Sequence, residues 1–103
     1  MDRTAEIARL NDELRTSFRG GDVRMTSSVY ELPDMVKAHA LVALGRITNL
    51  REPEREYGTF RFCGRGWWFL IRYWNLAGEK PSPNPADPSV TRRVLTLGLD
   101  EDW

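Results

Sequence analysis

The sequence predicts an α+β two-layer domain in which a short antiparallel sheet, centred on a β-hairpin at residues 57–74, is covered by about three helices at 4–18, 33–46 and 88–99. Three observations predict it. Apolar residues in the N-terminal half recur at three- and four-residue spacing, the mark of helices with one buried face. Two aromatic runs, 57–63 and 67–74, alternate with period two around Gly64-Arg65-Gly66, the mark of a hairpin. The 103 residues, 41% hydrophobic and 29% charged, suffice for one core and are too few for two.

The first helix places Ile7, Leu10, Leu14 and Phe18 on one face with charges opposite, and Gly20-Gly21 supplies the left-handed conformation that closes a helix. Residues 23–26 alternate, so a short strand is expected with Val23 and Met25 inward. Hydroxyl caps in 27–32 and Pro33 then open a second helix that buries Val36, Ala40, Ala43, Leu44 and Ile47.

In the second hairpin strand, alternation divides Trp67, Phe69, Ile71 and Tyr73 from Trp68, Leu70, Arg72 and Trp74. Both faces are largely apolar, and a two-layer domain leaves one of them open. A proline-rich loop follows, with 79–88 read as locally unstructured. Asp87-Pro88 has the form of an N-cap and first-turn proline, so 88–99 is read as a helix in preference to a strand, although Val94-Leu95-Thr96-Leu97 with Gly98 also suits a strand.

Fifteen basic residues balance fifteen acidic ones, so affinity for a polyanion would need a local patch. Thirteen of the cations are arginine, a bias that reflects either genome composition or a surface using planar bidentate donors. One cysteine and one histidine cannot make a disulfide or fill a structural zinc site, so neither cofactor nor metal is expected. The charged start at Asp2 and Arg3, and the absence of a bilayer-length apolar run, give the expectation of a cytoplasmic protein with no membrane partner.

No phosphate loop, dinucleotide fingerprint or nucleophile elbow is present. His39 has no orienting partner nearby in sequence and reads as a surface or boundary residue, and Cys63 as a small packed side chain. Glu52, Glu54 and Glu56 read as a solvated linker. In the tail Asp100-Glu101-Asp102-Trp103, the ring is expected to fold back onto the core, the alternative being an acidic-aromatic recognition element.

The order of Tyr57-Gly58-Thr59-Phe60, the aromatic strand, Ser82-Pro83-Asn84-Pro85-Ala86-Asp87-Pro88 and Thr91-Arg92-Arg93-Val94-Leu95-Thr96, with Ala8-Arg9-Leu10-Asn11-Asp12 and Gly20-Gly21 upstream, resembles the small bacterial family known as domain of unknown function 3768. The resemblance implies an association with plasmids and other mobile elements. It also implies a divergent member. The family's Gly-Glu-His-Asp-Phe-Gly and Lys-Ile-Asp-Tyr-Tyr-Asp stretches are replaced here by Glu54-Arg55-Glu56-Tyr57-Gly58 and Leu70-Ile71-Arg72-Tyr73-Trp74-Asn75, which lack the histidine and the aspartates.

The expected function is a non-enzymatic module that binds a protein or ribonucleoprotein through Arg61, Arg65, Trp68, Arg72 and Trp74, residue types enriched at interface hot spots. By analogy with mobile-element proteins, its sharper form is an anti-CRISPR or antirestriction inhibitor of a host defence nuclease complex. Single-stranded nucleic-acid binding through the same surface is the second expectation, and a vestigial enzyme using His39 or Glu56 the third. The hairpin is also one that could pair with a second copy of itself.

Overall fold

The structure is a computed structural model that describes residues 3–102. Elements follow in the order α1 (Arg3–Ser17), β1 (Asp22–Met25), α2 (Ser27–Tyr30), α3 (Asp34–Gly45), β2 (Tyr57–Phe62), β3 (Arg65–Trp74) and β4 (Arg92–Leu99). Short 3-10 turns at Pro88–Val90 and Asp100–Asp102 flank β4. The α+β class stands. The strands form one four-stranded sheet in the order β1-β4-β3-β2, antiparallel except where β1 runs parallel to β4.

The hairpin forms as its alternation predicts, with a tighter tip. Phe62 pairs with Arg65, so the turn is Cys63-Gly64 alone, both at positive φ (56° and 72°). Those values define a two-residue turn whose twist matches that of the strands, and Arg65 and Gly66 belong to β3.

The expected helix over 88–99 is corrected to a strand. Asp87 does cap, accepting from Ser89 N at 2.9 Å, but the helix lasts one 3-10 turn before Thr91 returns to extended backbone. The following residues insert between β1 and β3. Leu95, Leu97 and Leu99 line the core and Val94 is buried on the opposite side, so the alternation of Leu95-Thr96-Leu97-Gly98-Leu99, which suits a strand, prevails over the cap.

One face of the sheet carries the core. Trp67, Phe69 and Ile71 of β3 and Leu95, Leu97 and Leu99 of β4 cluster with Leu14 of α1, Val29 of α2, and Ala40 and Leu44 of α3, while Val23, Met25, Val36 and Ile47 pack around them as expected. Two details of α1 differ from its pattern. Its buried stripe is Ile7, Ala8, Asn11, Leu14 and Arg15, which brings two polar side chains inside. Phe18 leaves the core: it takes the left-handed conformation itself (φ 60°) with its N–H on Leu14 O, and is 44% exposed. Gly21 serves close approach, since a Cβ there would meet Arg93 O at 2.4 Å.

Candidate functional site

The register fixes which side chains share the face that α1, α2 and α3 leave open. β3 contributes Gly66, Trp68, Leu70, Arg72 and Trp74; β4 contributes Arg92, Val94, Thr96 and Gly98; β1 adds Asp22 and Arg24, and β2 adds Tyr57, Thr59 and Arg61. Four of the five residues predicted from sequence, Arg61, Trp68, Arg72 and Trp74, therefore lie together. Arg65 does not. It pairs across from Phe62, on the parity of Trp67, and forms an ion pair with Glu101.

Trp68 is on the open face yet only 7% exposed. Its neighbour on β4 is Gly98, and a Cβ at that glycine would stand 2.2 Å from the indole. The ring lies across this gap and its Nε1 donates to Leu99 O at 2.8 Å. The surplus apolar area expected from sequence is thus partly absorbed by the sheet itself. Tyr57, Leu70 and Trp74 remain half-buried, with Arg24, Arg61, Arg72 and Arg92 exposed among them.

Four arginines stand on this face against two aspartates: Asp22, which accepts from Arg92 Nε at 3.0 Å, and Asp100, whose carboxylate lies where a Cβ of Gly66 would stand. Arg24 and Arg72 have no side-chain partner among the described residues. Sequence reasoning missed Arg24 and Arg92: alternation around Val23 and Met25 placed Arg24 outward, but only the sheet order sets it beside β4, and Arg92 had been assigned to a helix. A shallow depression of about 180 Å³ lies between Arg24, Arg92, Val94, Trp74 and Gly78.

A second concentration of polar groups lies on the core side, where α1 meets the ends of β3 and β4. Arg93 is 1% exposed; its Nε donates to Asn11 Oδ1 at 2.7 Å and its Nη2 to Pro85 O, with the guanidinium 5.1 Å from the Tyr73 ring centroid. Asn11 Nδ2 donates to Tyr73 Oη at 2.7 Å and to Glu54 O at 3.0 Å, and Tyr73 Oη donates to Glu54 Oε1 at 2.9 Å. Burial lowers the Arg93 pKa and, together with Glu54, pushes the Tyr73 hydroxyl far up. Arg55 and Arg15 both bond Asp12; burial pushes its carboxyl up, but these two partners outweigh burial and hold it below its ordinary value.

Glu54 is thus a bonded member of this cluster and not a solvated linker residue. Glu56 is raised by burial, and its Oε1 has no hydrogen-bond partner. His39 and Cys63 are exposed, Cys63 at the hairpin tip and not in the core. Among the described residues, no three His, Cys, Asp or Glu side chains come together in a way that could hold a metal ion, and no helix is long and apolar enough to cross a membrane. Asp102 accepts from Leu99 N at 2.8 Å and Thr26 Oγ1 at 2.7 Å, which ties this part of the tail to the sheet; the expectation for Trp103 falls outside the described residues.

The sequence profile of the family described as protein of unknown function (DUF3768) matches residues 25–102. The chain belongs to that family. No curated protein and no solved structure matches it. Within the DUF3768 match lie β2, β3 and β4, hence most of the open face and of the polar cluster, whereas Asn11, Asp12 and Arg24 come from the N-terminal stretch before it. Tyr73, Pro85 and Arg93, from three separate segments that carry the family resemblance, meet in the cluster around Asn11.

Proposed function

We propose that the protein is a non-enzymatic binding module whose open sheet face docks on an acidic protein surface. The supporting observation is the composition of that face: Arg24, Arg61, Arg72 and Arg92 surround the half-buried Tyr57, Leu70 and Trp74, and the described helices pack on the opposite face. Aromatic and arginine side chains together supply large contact area and directed hydrogen bonds, the combination found at interface hot spots. A sharper form of the reading rests on the mobile-element association that the family resemblance implies and on analogy with other proteins such elements carry: an inhibitor of anti-CRISPR or antirestriction type, occupying a host defence nuclease complex.

The test is capture of partners from the native host with the wild-type chain and with an Arg24→Glu/Arg72→Glu variant. Both side chains are exposed and have no side-chain partner among the described residues, so the variant keeps the wild-type melting curve. The reading predicts a partner retained by the wild type and lost by the variant. Equal recovery of every partner removes the open face from the function. Capture of nucleic acid in place of protein, with an affinity that falls log-linearly with salt, would replace this reading with single-strand binding.

A further inference from the structure

We propose that the free edge of β2 is an interface with a second copy of this chain, joining two sheets into one of eight strands across a two-fold axis at Phe60. The inference does not require the open face to bind a partner: it rests on the backbone of the edge strand, although Arg61 belongs to both surfaces.

Antiparallel partners alternate between pairs that exchange both backbone hydrogen bonds and pairs that exchange none. The two-residue turn makes Phe62–Arg65 a bonded pair, so Phe60–Trp67 and Gly58–Phe69 are bonded as well. Ile71 N on Glu56 O at 2.7 Å continues the same alternation. Thr59 and Arg61 therefore turn their N–H and C=O groups away from β3, toward the outside of the sheet. No other described segment bonds to those groups.

Exposed edges are normally defended by shortness, proline, lysine, bulges or a covering loop. The other margins of this sheet follow that rule. β1 has four residues with two of them charged, and the part of β3 that extends past β2 is covered where Ser82 N bonds Tyr73 O and Pro81 bridges Trp74. Tyr57–Phe62 is a six-residue edge with one charge, Arg61; residues 49–52 lie beside it, but among the described residues no backbone group bonds the outward groups of Thr59 and Arg61.

The edge is complementary to itself. Setting Phe60 against Phe60 of the second copy places Thr59 opposite Arg61 and Arg61 opposite Thr59. Those are the residues whose backbone groups point outward, so four hydrogen bonds form and each side chain stays on its own face. Opposite Phe62 comes Gly58 of the second copy, with Leu50 packed against it. That leucine then faces the cavity of about 470 Å³ between Phe62 and the His39, Val42, Ala43 and Arg46 side of α3, where Val42 is 51% exposed in the monomer. On the outer face, Arg61 runs toward the groove of the second copy lined by Arg51, Glu52, Tyr57 and Thr59. Glu52 has no ion-pair partner of its own chain among the described residues, and the two-fold makes an Arg61–Glu52 contact twice.

Sedimentation velocity on the full chain, from low to high micromolar concentration, tests the proposal. The expected result is a concentration-dependent species of twice the monomer mass. Arg61→Glu sets two carboxylates together and yields monomer at all concentrations, with a melting curve that matches the wild type's at dilutions where the wild type is itself monomeric, and Glu52→Arg/Arg61→Glu restores the dimer. Amide exchange at Thr59 and Arg61 slows as the dimer forms. A wild-type chain that stays monomeric overturns the proposal, whether or not an extended peptide from another protein occupies the edge. A dimer indifferent to Arg61→Glu, or one leaving the Thr59 and Arg61 amides unprotected, overturns it too. The Arg24→Glu/Arg72→Glu variant keeps the wild-type mass, so failure of the edge and failure of the open face are read separately.

Discussion

Arg93 is the side chain on which the two halves of the chain are joined, and its replacement by methionine tests how that junction is held. Methionine keeps much of the stem and removes the charge and the donors. The structure gives Arg93 two charge-assisted bonds, to Asn11 Oδ1 at 2.7 Å and to Pro85 O, in a site where the residue is 1% exposed. Each such bond contributes roughly 1.5–3 kcal/mol, and its loss leaves a buried acceptor unpaired. Against that stands relief of the guanidinium's own desolvation, the leading cause of its lowered pKa. The expected net loss is about 3 kcal/mol, which for a domain of this size lowers Tm by about 12–24 °C. Thermal and urea unfolding followed by far-ultraviolet circular dichroism measure it. Pairing the substitution with Asn11→Ala in a double-mutant cycle should give a coupling of about 1 kcal/mol or more. A loss below about 1 kcal/mol, or additivity in the cycle, would refute the reasoning, because the guanidinium would then cost as much to bury as its bonds return.

Three further outcomes are expected. Burial raises the folded-state pKa of Glu56 above its ordinary value of 4.5, so its stabilising contribution is complete below that value and is lost as pH rises through the folded pKa; Glu56→Gln is therefore more stable than wild type at pH near 7, the difference closing as pH falls toward the ordinary value, and denaturant titrations at several pH values that show no gap would contradict this. Gly98→Ala drives a Cβ into the Trp68 indole and expels the ring onto the open face, costing about 1–3 kcal/mol with a red shift in tryptophan emission; unchanged emission would mean that the backbone yields instead. Asp102→Ala frees Leu99 N and Thr26 Oγ1 and costs about 1 kcal/mol, a modest figure because the site is exposed, and an unchanged urea midpoint would show that this anchor is idle.

The candidate surface was half legible. Arg61, Trp68, Arg72 and Trp74 follow from alternation within the hairpin, a signal contained in consecutive residues. Arg24 and Arg92 join them only because β4 lies between β1 and β3, and adjacency of strands some seventy residues apart leaves no mark in either one. The burial of Trp68 was hidden for the same reason: it depends on Gly98 being its cross-strand neighbour.

By itself the sequence determined the hairpin, the inward side of β3, the short strand of Val23 and Met25, and the helices over the N-terminal half, since each is dictated by a period read within one segment. The tertiary structure decided the rest. It made residues 92–99 a strand, because pairing with β1 on one side and β3 on the other outweighs the single 3-10 turn that the Asp87 cap holds, and it drew Asn11, Arg15 and Arg93 inside, because each found hydrogen-bond partners on a different element. Periodicity reports which way a side chain points along its own segment; what it meets there is fixed by contacts between segments, and only the folded chain supplies them.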